Sequence, residues 1–296
     1  MSTIHDLGYQ RYVGSRRSAA TRWRVIVKNQ LAIAWKTWWR YKAVLALAVV
    51  VTFVAGGFMY LASDRTVRAF GRGGIPTMMK EVAIPVAMQW YCRAAFLLSL
   101  TLTAGVVATD MQSGAFTFYF ARSIRPIDYV IGKLIGMVLL VATITLAGPV
   151  LLAALRIGLS GDETESLADA LPVLLKVFAI GGLATLVYAA VPLGFSALVP
   201  NRRYALALWA AYYLVVGAMA IGVGYATSHA LGALQLPSAI EAVTLRLFDV
   251  EILHGLDAKV PLAAGLISIA AHVAVAIGLV AWRVRSAQRS GVGGAT

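Results

Sequence analysis

An all-α integral membrane protein with six transmembrane helices is the fold class this sequence predicts, and three observations lead there. Of 296 residues, 60% are hydrophobic and only 13% charged, with a mean hydropathy of +0.78. A soluble domain is nearer half apolar and a quarter charged, and so little charge could not solvate its surface. Six windows reach the roughly 20 apolar residues that cross a bilayer core about 30 Å thick. The cations, finally, gather on alternate connecting segments. Together these exclude a soluble enzyme, a disordered chain and a collagen-like fibre.

The elements follow in order. Residues 1–42 form a basic tail and an amphipathic helix. Within it Arg24, Lys28, Lys36 and Arg40 make one cationic stripe, with Trp23, Val27, Leu31, Trp35 and Trp38 beside it as an apolar stripe. Tryptophan rings favour the headgroup zone and cations favour anionic lipid, so this helix is expected to lie along the membrane interface. A secretory signal would have a short apolar run of about 7–15 residues after a basic start. Here the run begins near Ala43 and is longer, which reads as an uncleaved span.

The spans are expected at 43–62, 86–109, 130–155, 172–199, 204–227 and 261–282, the third interrupted by Pro149 and the fourth broken by Pro192. They make residues 43–282 one transmembrane domain, followed by a short tail, 283–296. The segments 1–42, 110–129, 200–203 and 283–296 hold sixteen of the 26 cations, and the opposite segments seven. The positive-inside rule therefore puts both termini in the cytoplasm. The net charge of +13 thus reads as membrane orientation rather than as a nucleic-acid surface. The outer segment 228–259 reads as an amphipathic helix, either dipping into the outer leaflet or lying flat on it.

Chemistry of the common kinds is missing. One cysteine, Cys92, allows no intramolecular disulfide or CxxC site, and four scattered histidines make no zinc motif. No GxxxxGK[ST] phosphate loop occurs, so any ATP is handled by another polypeptide.

The segment after the second span is the most informative. It opens with Asp110, Ser113 and Gly114, runs through Phe116, Phe118, Tyr119 and Phe120, passes Arg122, and turns at Arg125-Pro126 before Asp128, Tyr129, Gly132 and Lys133. Physically this is a short amphipathic helix, a stop at Pro126 and a new helix with Asp128 at its positive end. The pattern resembles the cytoplasmic loop of the type-2 ABC exporter permeases, whose members read close to "D…SG…(apolar)…RP…Y..GK". The basic elbow, the six spans and the extended outer segment before the last span resemble that family too. Ile124 departs from it, since the family more often approaches the turn through proline-rich or polar residues.

The resemblance implies a permease subunit in a bacterial inner membrane, multi-pass, paired with a second permease copy, a homodimer above all. It implies a separate ABC ATPase that carries ATP and Mg, with no cofactor or catalytic residue in this chain. The loop would be a coupling helix docking on that ATPase through Asp110, Gly114, Phe116, Phe118, Tyr119, Arg122, Arg125 and Asp128. Some family members transmit force to a periplasmic partner instead of moving a solute, and both readings stay open.

Within the spans, Arg93 reads either as a residue facing a pathway between two copies or as a side chain snorkelling to the headgroups. His272 reads as a hydrogen-bonded packing residue and Lys176 as a snorkelling one. A self-sufficient carrier or channel would need a polar pathway, for which the spans offer little beyond Arg93 and His272. An embedded hydrolase would need catalytic groups at matched depth, and no span as drawn holds an Asp or Glu.

Overall fold

The computed structural model describes residues 19–36, 38–64, 75–121, 124–159, 167–250 and 259–293, and all their regular structure is helical. Among these described residues twelve α-helices follow in order. They are α1 (Trp23–Lys36), α2 (Trp38–Ser63), α3 (Ile75–Leu98), α4 (Val106–Gln112), α5 (Ala115–Ala121) and α6 (Pro126–Thr145). Then come α7 (Ala147–Leu159), α8 (Leu167–Leu198), α9 (Arg202–Ala211), α10 (Gly217–Ala226), α11 (Leu236–Phe248) and α12 (Leu262–Gly293).

Among the described residues six helical runs are long and apolar enough to cross a membrane: Trp39–Ser63, Glu81–Gln112, Pro126–Leu159, Leu171–Leu198, Arg202–Ala226 and Leu262–Arg289. The chain is a multi-pass membrane protein. In the most apolar stretch of each run, 56, 44 and 50% is buried for spans two to four, against 28, 17 and 28% for spans one, five and six. Spans two to four therefore form the core. The other three turn large apolar side chains outward, among them Phe53, Leu214, Met219, Ile267 and Val275. A soluble protein rarely exposes such a contiguous apolar surface.

Several boundaries differ from the sequence reading for identifiable reasons. Span two runs from Glu81 to Gln112 rather than over 86–109, and so takes in both Glu81 and Asp110. Pro192 does not break span four, because α8 passes through both Pro172 and Pro192. Span three does break beside Pro149, at Leu146, between α6 and α7. A proline has no N–H for the carbonyl four residues back, here Thr145. That carbonyl lies where only a glycine of α8 fits: a Cβ on Gly181 would sit 2.6 Å from it. Thr145 and Thr185 hydroxyls meet at 2.7 Å at the same crossing.

Span five is the least buried, and one aromatic cluster ties it to the core. Trp209 is fully buried, and its indole N–H donates to Ser99 Oγ at 2.9 Å. Phe96 stacks on Tyr213 at 3.8 Å and lies 5.9 Å from Trp209. Both partners carry π-helical turns here, Ser99–Thr103 in span two and Tyr212–Val216 in span five. An extra residue in a turn re-aims side chains, which lets these rings face each other.

The segment before the last span forms a 3-10 turn, His229–Leu234, and then α11. Eight of its residues are buried within the protein, including Leu236, Ile240, Val243 and Leu245. Its Glu241 accepts a hydrogen bond from Gln89 of span two. His272 is hydrogen-bonded through both ring nitrogens, to the Tyr212 hydroxyl and to the Ser268 carbonyl. Lys176, itself partly buried, lies 3.8 Å from the exposed Asp249, a loose pair.

Candidate functional site

Spans one, three and five begin on one face of the bundle, and span two ends there. The site is built where these ends meet. Span two finishes in α4, and Gly114 then adopts φ +66° between α4 and α5. Its N–H reaches the Met111 carbonyl at 3.1 Å. A left-handed residue closing a helix favours glycine, which has no Cβ penalty there. The role of Gly114 is thus to fold α5 back beneath the spans. At the other end of the loop, the Arg125 N–H donates to Asp128 Oδ2 at 3.1 Å. Asp128 thereby caps the start of α6, with Pro126 in its first turn.

Asp110 is the centre of the site. Its Oδ2 lies 2.7 Å from Lys133 Nζ and accepts a 2.6 Å hydrogen bond from the Tyr129 hydroxyl. The Lys133 and Asp110 side chains are only 6% and 16% exposed. Span two and span three are thus clamped by an enclosed ion pair with a phenol at its side. The pair sits within span boundaries, where an unpaired charge would be expensive.

The aromatic block divides into an inward and an outward part. Phe116 is buried, edge-on to Tyr129 at 5.2 Å and stacked with Phe120 at 5.7 Å. Tyr119 is half-buried, 5.5 Å from Tyr129. Burial, and after it the charge of Asp110, holds the Tyr119 phenol above its ordinary pKa. Phe118 instead is 72% exposed, and Ile127 at the start of α6 is exposed as well. Arg125 is exposed too, while Arg122 lies outside the described residues. Met111 and the last helix close the back of the loop, Arg283 Nε donating to Met111 Sδ at 3.0 Å.

Helix α1 is seated on α6 by two glycines. A Cβ on Gly132 would fall 2.7 Å from Ile26 Cβ, and one on Gly136 would fall 3.0 Å from Gln30 Cβ. The buried stripe is accordingly Ile26, Val27, Gln30 and Ala34. That is rotated from the expected stripe: Val27 is in it, Trp23 and Leu31 lie at its edge, and Trp35 is 62% exposed. The tight contact with α6 decides this, since the two glycines leave room for Ile26 and Gln30 there. Arg24, Lys28 and Lys36 are exposed and Arg40 is partly covered. Arg24 lies over the Trp23 ring and Lys42 over the Trp35 ring. The Trp38 side chain lies outside the described residues.

Arg93 stands apart from this site. It is exposed on α3, with its guanidinium 4.4 Å from the centre of the Trp90 ring. Among the described residues no group of three or more His, Cys, Asp or Glu side chains is placed to hold a metal.

Sequence reasoning singled out Asp110, Phe116, Tyr129 and Lys133 but not the contacts of Asp110 and Phe116 with the other two, because those partners are 13 to 23 positions apart on separate helices. It missed Arg202, whose side chain crosses Gly105, and no sequence signal marks that crossing. Set against protein-family models and against curated proteins, the chain matches none.

Proposed function

We propose that this chain is the membrane-spanning permease subunit of an ATP-driven ABC exporter in a bacterial inner membrane. Both termini and the α4–α5 loop would lie in the cytoplasm, and α1 would be the interfacial elbow. A separate ATPase subunit would bind ATP and Mg, and this chain would hydrolyse nothing itself. A second permease copy would complete the translocating unit.

The observation that carries the reading is the division of labour in the loop. Phe118 is presented outward on α5, while Phe116 behind it rests on Tyr129, and Tyr129 and Lys133 grip Asp110. A coupling element needs an apolar group to offer its partner and a stiff path into the spans. Force applied at Phe118 reaches spans two and three together through that path. Support also comes from the sequence resemblance of the same segment to the coupling loop of type-2 exporter permeases.

Co-purification with the cognate ATPase tests it. Phe118→Ala should lose most ATPase capture while the permease stays folded and inserted, since truncating a central aromatic anchor costs an interface about 2 kcal/mol or more. Undiminished capture would remove the loop from the coupling role.

A further inference from the structure

A cleft of about 190 Å³ opens beside the Asp110–Lys133 pair, between α1, the start of α2, the π-turn and α4 of span two, α6 and the start of α9. It is many times larger than the roughly 10–15 Å³ needed to admit one water. Three cations line it, Arg40, Lys133 and Arg202, against one acid, Asp110. Lys133 is already matched to Asp110 at 2.7 Å. Arg40 and Arg202 meet no ion-pair partner among the described residues.

Arg202 is held in place there. A Cβ on Gly105 would lie 2.6 Å from Arg202 Cγ and 3.0 Å from its Nε, so the glycine leaves a channel for the side chain to cross span two. Ile33, Leu102, Val106, Met137 and Leu140 supply an apolar part of the wall, beside the polar Gln30, Thr101 and Thr109. Two guanidiniums without an ion-pair partner among the described residues therefore stand beside a partly apolar slot, at the depth where spans begin. Guanidinium forks match phosphate oxygens in shape and charge.

We propose that this cleft binds the phosphate headgroup of an anionic phospholipid, with Arg40 and Arg202 on the phosphate and an acyl chain against Leu102 and Val106. A free phosphate ion would use the guanidiniums but gain nothing from the apolar wall. The site stands independently of the coupling reading.

Native mass spectrometry of the detergent-purified full chain, titrated with phosphatidylglycerol or phosphatidylcholine, tests the assignment. The wild type should retain phosphatidylglycerol preferentially. The R40Q/R202Q variant should lose roughly tenfold or more of that preference, each cation near a lipid surface being worth on the order of a few-fold in binding. Arg203→Gln removes the same charge next door, outside the cleft, and should change it little. Arg202→Gln alone, at an exposed helix start, should give a partial loss and carries the test should the double variant fail to fold. Equal retention of phosphatidylglycerol by folded R40Q/R202Q, or by R202Q if only that folds, would overturn the proposal. So would an equal effect of R203Q, or millimolar inorganic phosphate displacing the lipid entirely, which would assign the site to a soluble anion.

Discussion

Arg93 and Asp110 are both charged residues of span two, and the fold treats them in opposite ways. Asp110 is enclosed, with Lys133 and Tyr129 both on one carboxylate oxygen. Arg93 is exposed, with its guanidinium over the face of Trp90. An enclosed pair is weak evidence for net stability, yet breaking it is costly, because the surviving charge is left buried. An exposed guanidinium over a ring costs little to lose. The comparison therefore separates a group the fold depends on from one it merely accommodates.

The largest effect should come from splitting the pair. Asp110→Ala is expected to destabilise by about 3–5 kcal/mol, since it strands the Lys133 ammonium. Thermal unfolding in detergent reads this, and the double variant Asp110→Ala/Lys133→Met should recover much of the loss. A single variant as stable as the wild type would mean that the pair is hydrated rather than enclosed.

Next comes the aromatic block. Phe116→Ala empties a packed site against Tyr129 and Phe120 and should cost about 3 kcal/mol, at the lower end for such truncations. Phe118→Ala should stay within about 0.5 kcal/mol, as exposed substitutions do. Equal losses in the same unfolding assay would erase the distinction between the inward and outward faces.

A smaller effect than that of either buried group belongs to Arg93→Ala, which should cost about 0.5–1 kcal/mol, the range of an exposed cation–π contact. A loss as large as that of Asp110→Ala would show that in the membrane something encloses Arg93, such as a second copy of the chain.

The sequence alone announced the six spans, because hydropathy and cation asymmetry are summed over many residues. It also announced the turn at Pro126 with Asp128 behind it, since a proline stop and an N-terminal cap are local. Which way each phenylalanine of α5 points was not legible. Ala115–Ala121 reads AFTFYFA, too short and too uniformly apolar for a period to show. The seat of α1 was hidden for another reason: its buried face is set by Gly132 and Gly136 on a different helix, more than 100 positions away. The continuity of α8 through Pro192 likewise depends on its neighbours, which hold a helix together where propensity would end it.

The break beside Pro149 has a mechanical consequence. Bending a continuous helix stretches hydrogen bonds on its convex side, so a span resists bending like a rod. At this point span three lacks the bond between Pro149 and the Thr145 carbonyl, and only the bond from Val150 to Leu146 and its neighbours remain to be strained. The half that holds Tyr129 and Lys133 is therefore joined to the half that packs on Tyr91 at Gly148 through a point of low bending stiffness. Span three is two rods on a pivot, and the clamp on Asp110 grips only the one nearer the loop.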